Sequence, residues 1–407
     1  MRPLISIVAP TLGRLELWKQ ALHSAILQDF TDFEIIAINS HPSDESAALI
    51  REIGNPRIRY IATSPSESRC NWDRGYREAR GEYLLWLDDD NYLLPHALTT
   101  LARAINKTHA DIVTGDHVHW YEATHPRRDL RNFLALPFPL FGHAIQKVDP
   151  KNYVRALFGM PKVGTGSRAR FHFSETAIKK SRIDALMPMI GTIDFSATSP
   201  RMLQLVLLAS TPNVVHIDSP ICIVIQMGDS MAYRWADSMA REKRFATIYT
   251  RSPVTANTYI NYVVENLLRA QELFPRDLAE FSVRWNLFFR TYARELSLLD
   301  APLRTVVPAW RELAHAMAMK DVPVPPLFVF RRALRTFTIK ALRQAHLYGY
   351  LVRARRSTVP SAKNTRVVRL GSRVRSISDC ARELPAAVEK ELGIPYDDFI
   401  GVRSANP

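Results

Sequence analysis

Short apolar runs and amphipathic stretches alternate over the first hundred or so residues, and this alternation limits the fold more than any other feature of the chain. "LISIVAP", "FEIIAIN", "RIRYIAT" and "EYLLWLD" read as buried strands. Between them, "LELWKQALHSAILQ" places Leu15, Trp18, Leu22, Ala25 and Ile26 on one helical face. "SDESAALIREI" has a Ser/Asp helix start with Asp44 as the expected cap, and "NWDRGYREAR" is a short helix. Strands that alternate with helices form a mostly parallel sheet covered on both faces, so the expected class is α/β. Ligands of such sheets bind beyond the carboxyl ends of the strands. "PTLGR", "NSHPSD" and "LDDD" all fall at such ends.

The last of these is the most demanding. In "GEYLLWLDDDNYLLP", Asp88, Asp89 and Asp90 directly follow an apolar run. Adjacent carboxylates repel one another and lose hydration where a strand leaves the core, so a positive group is expected beside them. Hard divalent cations such as Mg2+ and Mn2+ take carboxylate and phosphate oxygens, and an Asp-x-Asp loop can hold one against a diphosphate. An exposed acidic turn capping the next helix is the other reading of the triplet alone. "PKVGTGSRARF" is glycine-rich, but its spacing is that of neither a P-loop nor a dinucleotide fingerprint.

Taken together and in order, these stretches resemble the family-2 glycosyltransferases of the GT-A fold. "PLISIVAPTLGR" is similar to their first strand and Pro-Thr turn, and "ALHSAILQDFTDFEIIAINS" to the helix and strand that follow. "NWDRGYREARGEYLLWLDDDNYLLPHAL" resembles their Asn-Trp run leading to Asp-x-Asp and a following proline. The resemblance is specific over residues 3–100, thins to about residue 235 and is absent beyond. It implies a nucleotide-diphosphate sugar donor, with Thr11, Arg14, Asn39, Asp73, Asp88 and Asp89 around the nucleotide-sugar, and Asp90 with Asp88 on Mn2+ or Mg2+. It also implies a GT-A domain over 1–250 (nucleotide-binding half 1–115, acceptor half 116–250), while the helical pattern beyond it reads as a mainly helical extension over 251–356. A basic linker and C-terminal tail over 357–407 complete the expected division.

Two departures qualify the resemblance. Asn39 stands where the family usually carries an aspartate that reads the nucleobase, and Asn both donates and accepts hydrogen bonds. Members are inverting and use a carboxylate to take the acceptor proton. Where that acid is commonly found, after a proline, this chain has Arg201 after Pro200, and arginine stays charged at any working pH. Asp194 is the substitute candidate, with Glu175 behind it and Asp229 ranked lower. A loop carboxylate pairing an arginine is the alternative for Asp194. The departures also keep open a catalytically inactive sugar-nucleotide-binding or scaffolding protein of a glycan-assembly complex.

Charge adds a second theme. Of the net +14, nearly all comes from thirteen basic residues between Arg331 and Arg375, a stretch with no acidic residue. Residues 330–356 read as a basic amphipathic helix suited to an anionic membrane surface, and "FLALPFPLFG" as a second lipid or acceptor contact. A helix packed on the body with solvated arginines is the alternative. No nucleic-acid-binding motif accompanies the charge, so no specific nucleic-acid partner is expected. Residues 357–375 are polar and basic and read as a linker. With three scattered cysteines, no signal-like start and no long apolar run, the expectation is a cytoplasmic protein, peripheral on the inner membrane face, acting on an envelope glycan or lipid-linked acceptor.

Overall fold

Ile5–Thr11 (β1), Phe33–Asn39 (β2), Ile58–Ala62 (β3) and Tyr83–Trp86 (β4) pair in parallel in the order β3-β2-β1-β4. Every residue of β1 and β4 is buried, as expected of central parallel strands covered on both faces. Leu15–Ile26 (α1), Asp44–Ile53 (α2) and Asn71–Glu78 (α3) supply the crossovers. Ser43, not Asp44, caps α2, through a reciprocal capping box with Ser46. The computed structural model describes residues 2–64, 71–124, 131–137, 144–157, 171–193, 200–226, 249–255, 258–296, 303–320, 322, 331, 333–334, 338, 365–370, 374–392 and 395–400.

Beyond β4 the sheet becomes mixed. Next come Asn91–Leu93 (β5), Ala97–Thr108 (α4), Ile112–Tyr121 (β6), Phe133–Pro137 (β7), Ile145–Lys147 (β8), Pro150–Leu157 (α5) and Thr176–Lys179 (β9). Lys180–Ile190 (α6), Pro200–Ser210 (α7) and Val214–Gln226 (β10) complete this half. β9 lies antiparallel between β4 and β6, while β10 runs parallel to β6 and antiparallel to β5 and β8. The α/β class stands, with a parallel half formed by β1–β4 and a mixed half beside it.

Helices Tyr259–Leu273 (α8), Trp285–Leu296 (α9) and Leu303–Met319 (α10) follow. Their Leu267, Phe289 and Leu313 share one buried cluster with Val8, Ile36 and Trp86 of the sheet and Leu203 of α7. The described part of the helical extension therefore packs into the same core as the first 250 residues. Glu265 helps hold it there. Fully buried on α8, it accepts hydrogen bonds from the backbone of Thr250 (3.2 Å), Arg251 (3.0 Å) and Ser252 (2.7 Å) and from Arg269 Nε (2.8 Å). Burial alone would raise its pKa, but these donors outweigh burial and hold it below the usual glutamate value. A depressed folded-state pKa adds stability above the unfolded value and loses it as pH falls through the folded one. Glu265→Gln should therefore cost about 1–3 kcal/mol in urea unfolding at neutral pH. The difference from the parent should narrow as the pH drops below the ordinary glutamate range.

The far end of the chain corrects the linker reading. Thr365–Arg369 (β11) pairs antiparallel with β7, from Thr365 opposite Pro137 to Arg369 opposite Phe133. Ile377–Leu392 (α11) and Tyr396–Ile400 (α12) then pack Cys380, Leu384, Val388 and Phe399, all fully buried, against Leu134, Leu136, Ile223 and Val368. Composition misled here because basic residues suit an edge strand as well as a linker. The signal was the spacing of Val368 and Leu370, both buried. Leu134 and Leu136 are core residues too, so the first half of "FLALPFPLFG" is not a lipid contact. The expected basic helix over 330–356 lies almost wholly outside the described residues.

Candidate active site

The carboxyl ends of β1 and β4 bring the acidic triplet against the first loop. Thr11 Oγ1 donates to Asp89 Oδ2 at 2.6 Å and accepts from the backbone N–H of Arg14 at 3.2 Å. Gly13 makes this turn possible, with a φ of 88° that disfavours any residue with a Cβ. Arg14 then folds back onto the triplet. Its guanidinium grips both oxygens of Asp89, with Nε at 3.1 Å from Oδ2, and reaches Asp90 Oδ2 at 3.1 Å. The expectation of a positive group beside the triplet is met within the chain.

Arg14 leaves the Asp88 carboxyl without a hydrogen bond among the described residues. Burial pushes the Asp88 carboxyl up to about 7, and the charges of Asp90 and Asp89 add to this against the pull of Arg14. Burial likewise raises Asp90, against the opposing effect of Arg14. Trp86, two residues before the triplet, stacks on Trp72 with ring centroids 5.0 Å apart, and Phe173 meets Trp72 edge-on at 4.8 Å. The strand end that leads into the triplet is therefore packed by aromatic rings.

The neighbouring loops are tied together by polar side chains. Asn39 is fully buried and forms a local turn, accepting from the His41 N–H at 2.9 Å and donating to the His41 carbonyl at 3.2 Å. Asn71 donates to Ser40 Oγ at 3.2 Å and accepts from Thr63 Oγ1 at 3.1 Å, linking three strand-end loops. Asp73 accepts from Arg77 Nε at 2.6 Å and from the Ile193 N–H at 3.1 Å, so it anchors the chain after α6. Asp194 and Asp229 lie outside the described residues.

Glu175, the reserve candidate, proves to be part of a larger group. It is fully buried, and one carboxylate oxygen pairs with His117 Nδ1 while the other has no partner among the described residues. His117 Nε2 lies 2.8 Å from His119 Nε2. Burial pulls nearby His172 down to about 4, with His117 and Arg201 acting in the same direction and Glu175 opposing. His172 is therefore neutral and accepts from the Ser174 N–H at 3.3 Å. Asn91, just after the triplet, donates to Ser174 Oγ at 2.6 Å. Cys222 is buried where the charges of both Glu175 and Asp88 reach it. The histidines and the triplet thus flank one another. Sequence reasoning missed His117 and His119, whose signal was the period-two "HVHWY" on one strand face.

Residues 6–167 match the family model described as "Glycosyl transferase family 2". Among curated proteins, the chain is 32% identical over 114 residues to the GalNAc(5)-diNAcBac-PP-undecaprenol beta-1,3-glucosyltransferase of Campylobacter jejuni, covering 27% of this chain and 37% of that protein. It is 30% identical over 121 residues to the putative colanic acid biosynthesis glycosyl transferase WcaA of Escherichia coli, covering 28% of this chain and 43% of that protein. The chain spans about two fifths of the length of these relatives. Among solved structures, S. aureus TarS 1–349 in complex with UDP superposes with a TM-score of 0.43 at 13% identity, covering 91% of this chain and 97% of that one. Residues 6–167, the stretch that carries the acidic triplet and the Thr11–Arg14 loop, are thus what this chain shares with glycosyltransferase family 2.

Proposed function

We propose that the chain transfers a sugar from a nucleotide-diphosphate sugar to a glycan or lipid-linked acceptor of the cell envelope, with inversion at the anomeric carbon. The observation that carries this reading is the Asp88–Asp90 triplet joined to Thr11 and Arg14 at neighbouring strand ends. The donor set fits Mn2+ or Mg2+, because the buried Asp88 carboxyl, pushed up to about 7, has no hydrogen bond among the described residues and Asp90 lies next to it. Asp90 and Asp88 would hold the cation, whose chemistry is to neutralise the departing diphosphate. Thr11, Arg14, Asn39 and Asp73 border the nucleotide, and Asp89 faces the donor sugar. Arg14, always charged, can pass from the carboxylates to a phosphate when donor arrives. The names of the curated relatives support an envelope acceptor.

In the transfer, the acceptor oxygen bonds to the anomeric carbon as the bond to the diphosphate breaks, and the acceptor proton goes to a protein base. Asp194 is one candidate. The contact between Glu175, His117 and His119 favours a second. If His117 donates its Nδ1 proton to Glu175, its Nε2 accepts from His119, so a proton taken up by this group can be shared along Glu175, His117 and His119. No helix among the described residues is long and apolar enough to cross a membrane. The basic segment 330–356 would hold the chain on an anionic inner membrane face, within reach of a lipid-linked acceptor.

A melting-temperature screen of sugar nucleotides with and without Mn2+ tests the donor half of this reading. One nucleotide class should raise the melting point, more so with Mn2+, and its sugar should pass to a lipid-linked acceptor. Stabilisation without turnover against an acceptor panel would favour the non-catalytic binding protein. No stabilisation by any sugar nucleotide would overturn both readings.

A further inference from the structure

β10 does not follow β6 evenly. His216 pairs with Thr114 and Pro220 with Asp116, so the residues between His216 and Pro220 bulge where β6 has only Gly115. A Cβ on Gly115 would sit 2.3 Å from Ile221 Cγ1 and 2.9 Å from the Ser219 carbonyl oxygen, so only glycine admits the bulge this closely. The consequence is chemical. Asp116, His216 and Asp218, all buried, come together with one potential ligand atom from each within 4.8 Å of the others.

His216 is 2% exposed, and neither ring nitrogen has a hydrogen-bond partner among the described residues. Its Nε2 points between the carboxylates, 3.5 Å from Asp218 Oδ1 and 3.8 Å from Asp116 Oδ2. These separations are too long for good hydrogen bonds. The 3.5 Å separation suits two donors on one ion, since bonds of roughly 2.0–2.2 Å to a tetrahedral centre put donor atoms roughly 3.3–3.6 Å apart, and the 3.8 Å separation is slightly longer. Asp218 is further fixed by Gln146 Nε2, which donates to its other oxygen at 2.7 Å, the kind of outer contact that orients a metal-binding carboxylate.

We propose that Asp116, His216 and Asp218 form a binding site for a divalent first-row cation, separate from the donor triplet. One imidazole with two carboxylates favours Zn2+ or Mn2+ over Mg2+ or Ca2+. Through β9, Ile112 of β6 and Leu84 of β4 share one row, so Asp116 and Asp88 stand at the same height of the sheet. Strand spacing puts them roughly 10 Å apart, near enough for the cation to brace the acceptor side but too far to share an ion. The ion clips β10, β6 and, through Gln146, β8 at the bulge.

The test uses the chain with Asp90→Ala, which removes a ligand from the triplet, stripped with a chelator and dialysed against Zn2+ or Mn2+. One ion per chain should remain bound, with Zn2+ tighter and Mg2+ unable to displace it. Adding His216→Asn or Asp218→Asn, each checked for folding by circular dichroism, should remove it. In the Mn2+-loaded parent chain, electron-spin-echo modulation should show coupling to an imidazole nitrogen that His216→Asn abolishes. The triplet alone cannot give that coupling. An ion count of zero in the Asp90→Ala chain, or a count and nitrogen coupling unchanged by His216→Asn, would overturn the proposal.

Discussion

Replacing Asp90 by alanine should lower sugar transfer by roughly 100-fold or more. A cation at a leaving diphosphate contributes several kcal/mol, and about 1.4 kcal/mol corresponds to a tenfold change in rate. The fold should survive, because Arg14 keeps Asp89 through both of its oxygens. Initial rates across a Mn2+ titration would measure the effect, and equal rates for parent and variant would remove Asp90 from the reaction. The same titration has a pH arm. Asp88 in the cation-free chain holds its proton up to about 7, so cation entry at lower pH must displace that proton. Apparent Mn2+ affinity should therefore climb with pH to about 7 and then level off. Asp88→Asn should bind more weakly but lose most of that slope.

The second large effect concerns the acceptor proton. If His119 receives it, His119→Asn should lower kcat by about 10²–10⁴, the usual range for a positioned acid or base. Donor affinity should stay close to that of the parent. Glu175→Gln should follow it in direction, because the carboxylate that orients His117 is lost while the buried volume is kept. If Asp194 is instead the base, Asp194→Asn should carry the large loss and His119→Asn should stay within a few-fold of the parent. Measuring kcat for the three variants against one acceptor separates the two assignments.

What could be read from the sequence follows how local the physics is. The loop Thr11–Arg14 and the triplet Asp88–Asp90 were legible because each closes an apolar run, and parallel strands deliver such ends to one edge. The pairing of Arg14 with Asp89 and Asp90 was anticipated only as an unspecified positive group. His117 and Glu175 lie 58 residues apart and meet because β9 runs reversed between β4 and β6, a pairing that no spacing announces. Asp116 and His216 are farther apart still and depend on a bulge that Gly115 permits. Strand β11 was hidden for another reason. Five residues rich in arginine and valine carry too short a period to outweigh a composition that reads as linker.

That strand changes what the basic segment is able to do. The described elements on either side of it, α10 and β11, are both held on the folded chain, and Ala333 within it packs against the same core as α10. Whatever surface it touches, it touches as a segment flanked on both sides by elements of the folded body, which limits its reach. Cutting the chain ahead of it would strip a strand from β7 and leave an open sheet edge that invites pairing with other chains. Exchanging arginines for glutamines within the span would remove the charge alone and leave that edge covered.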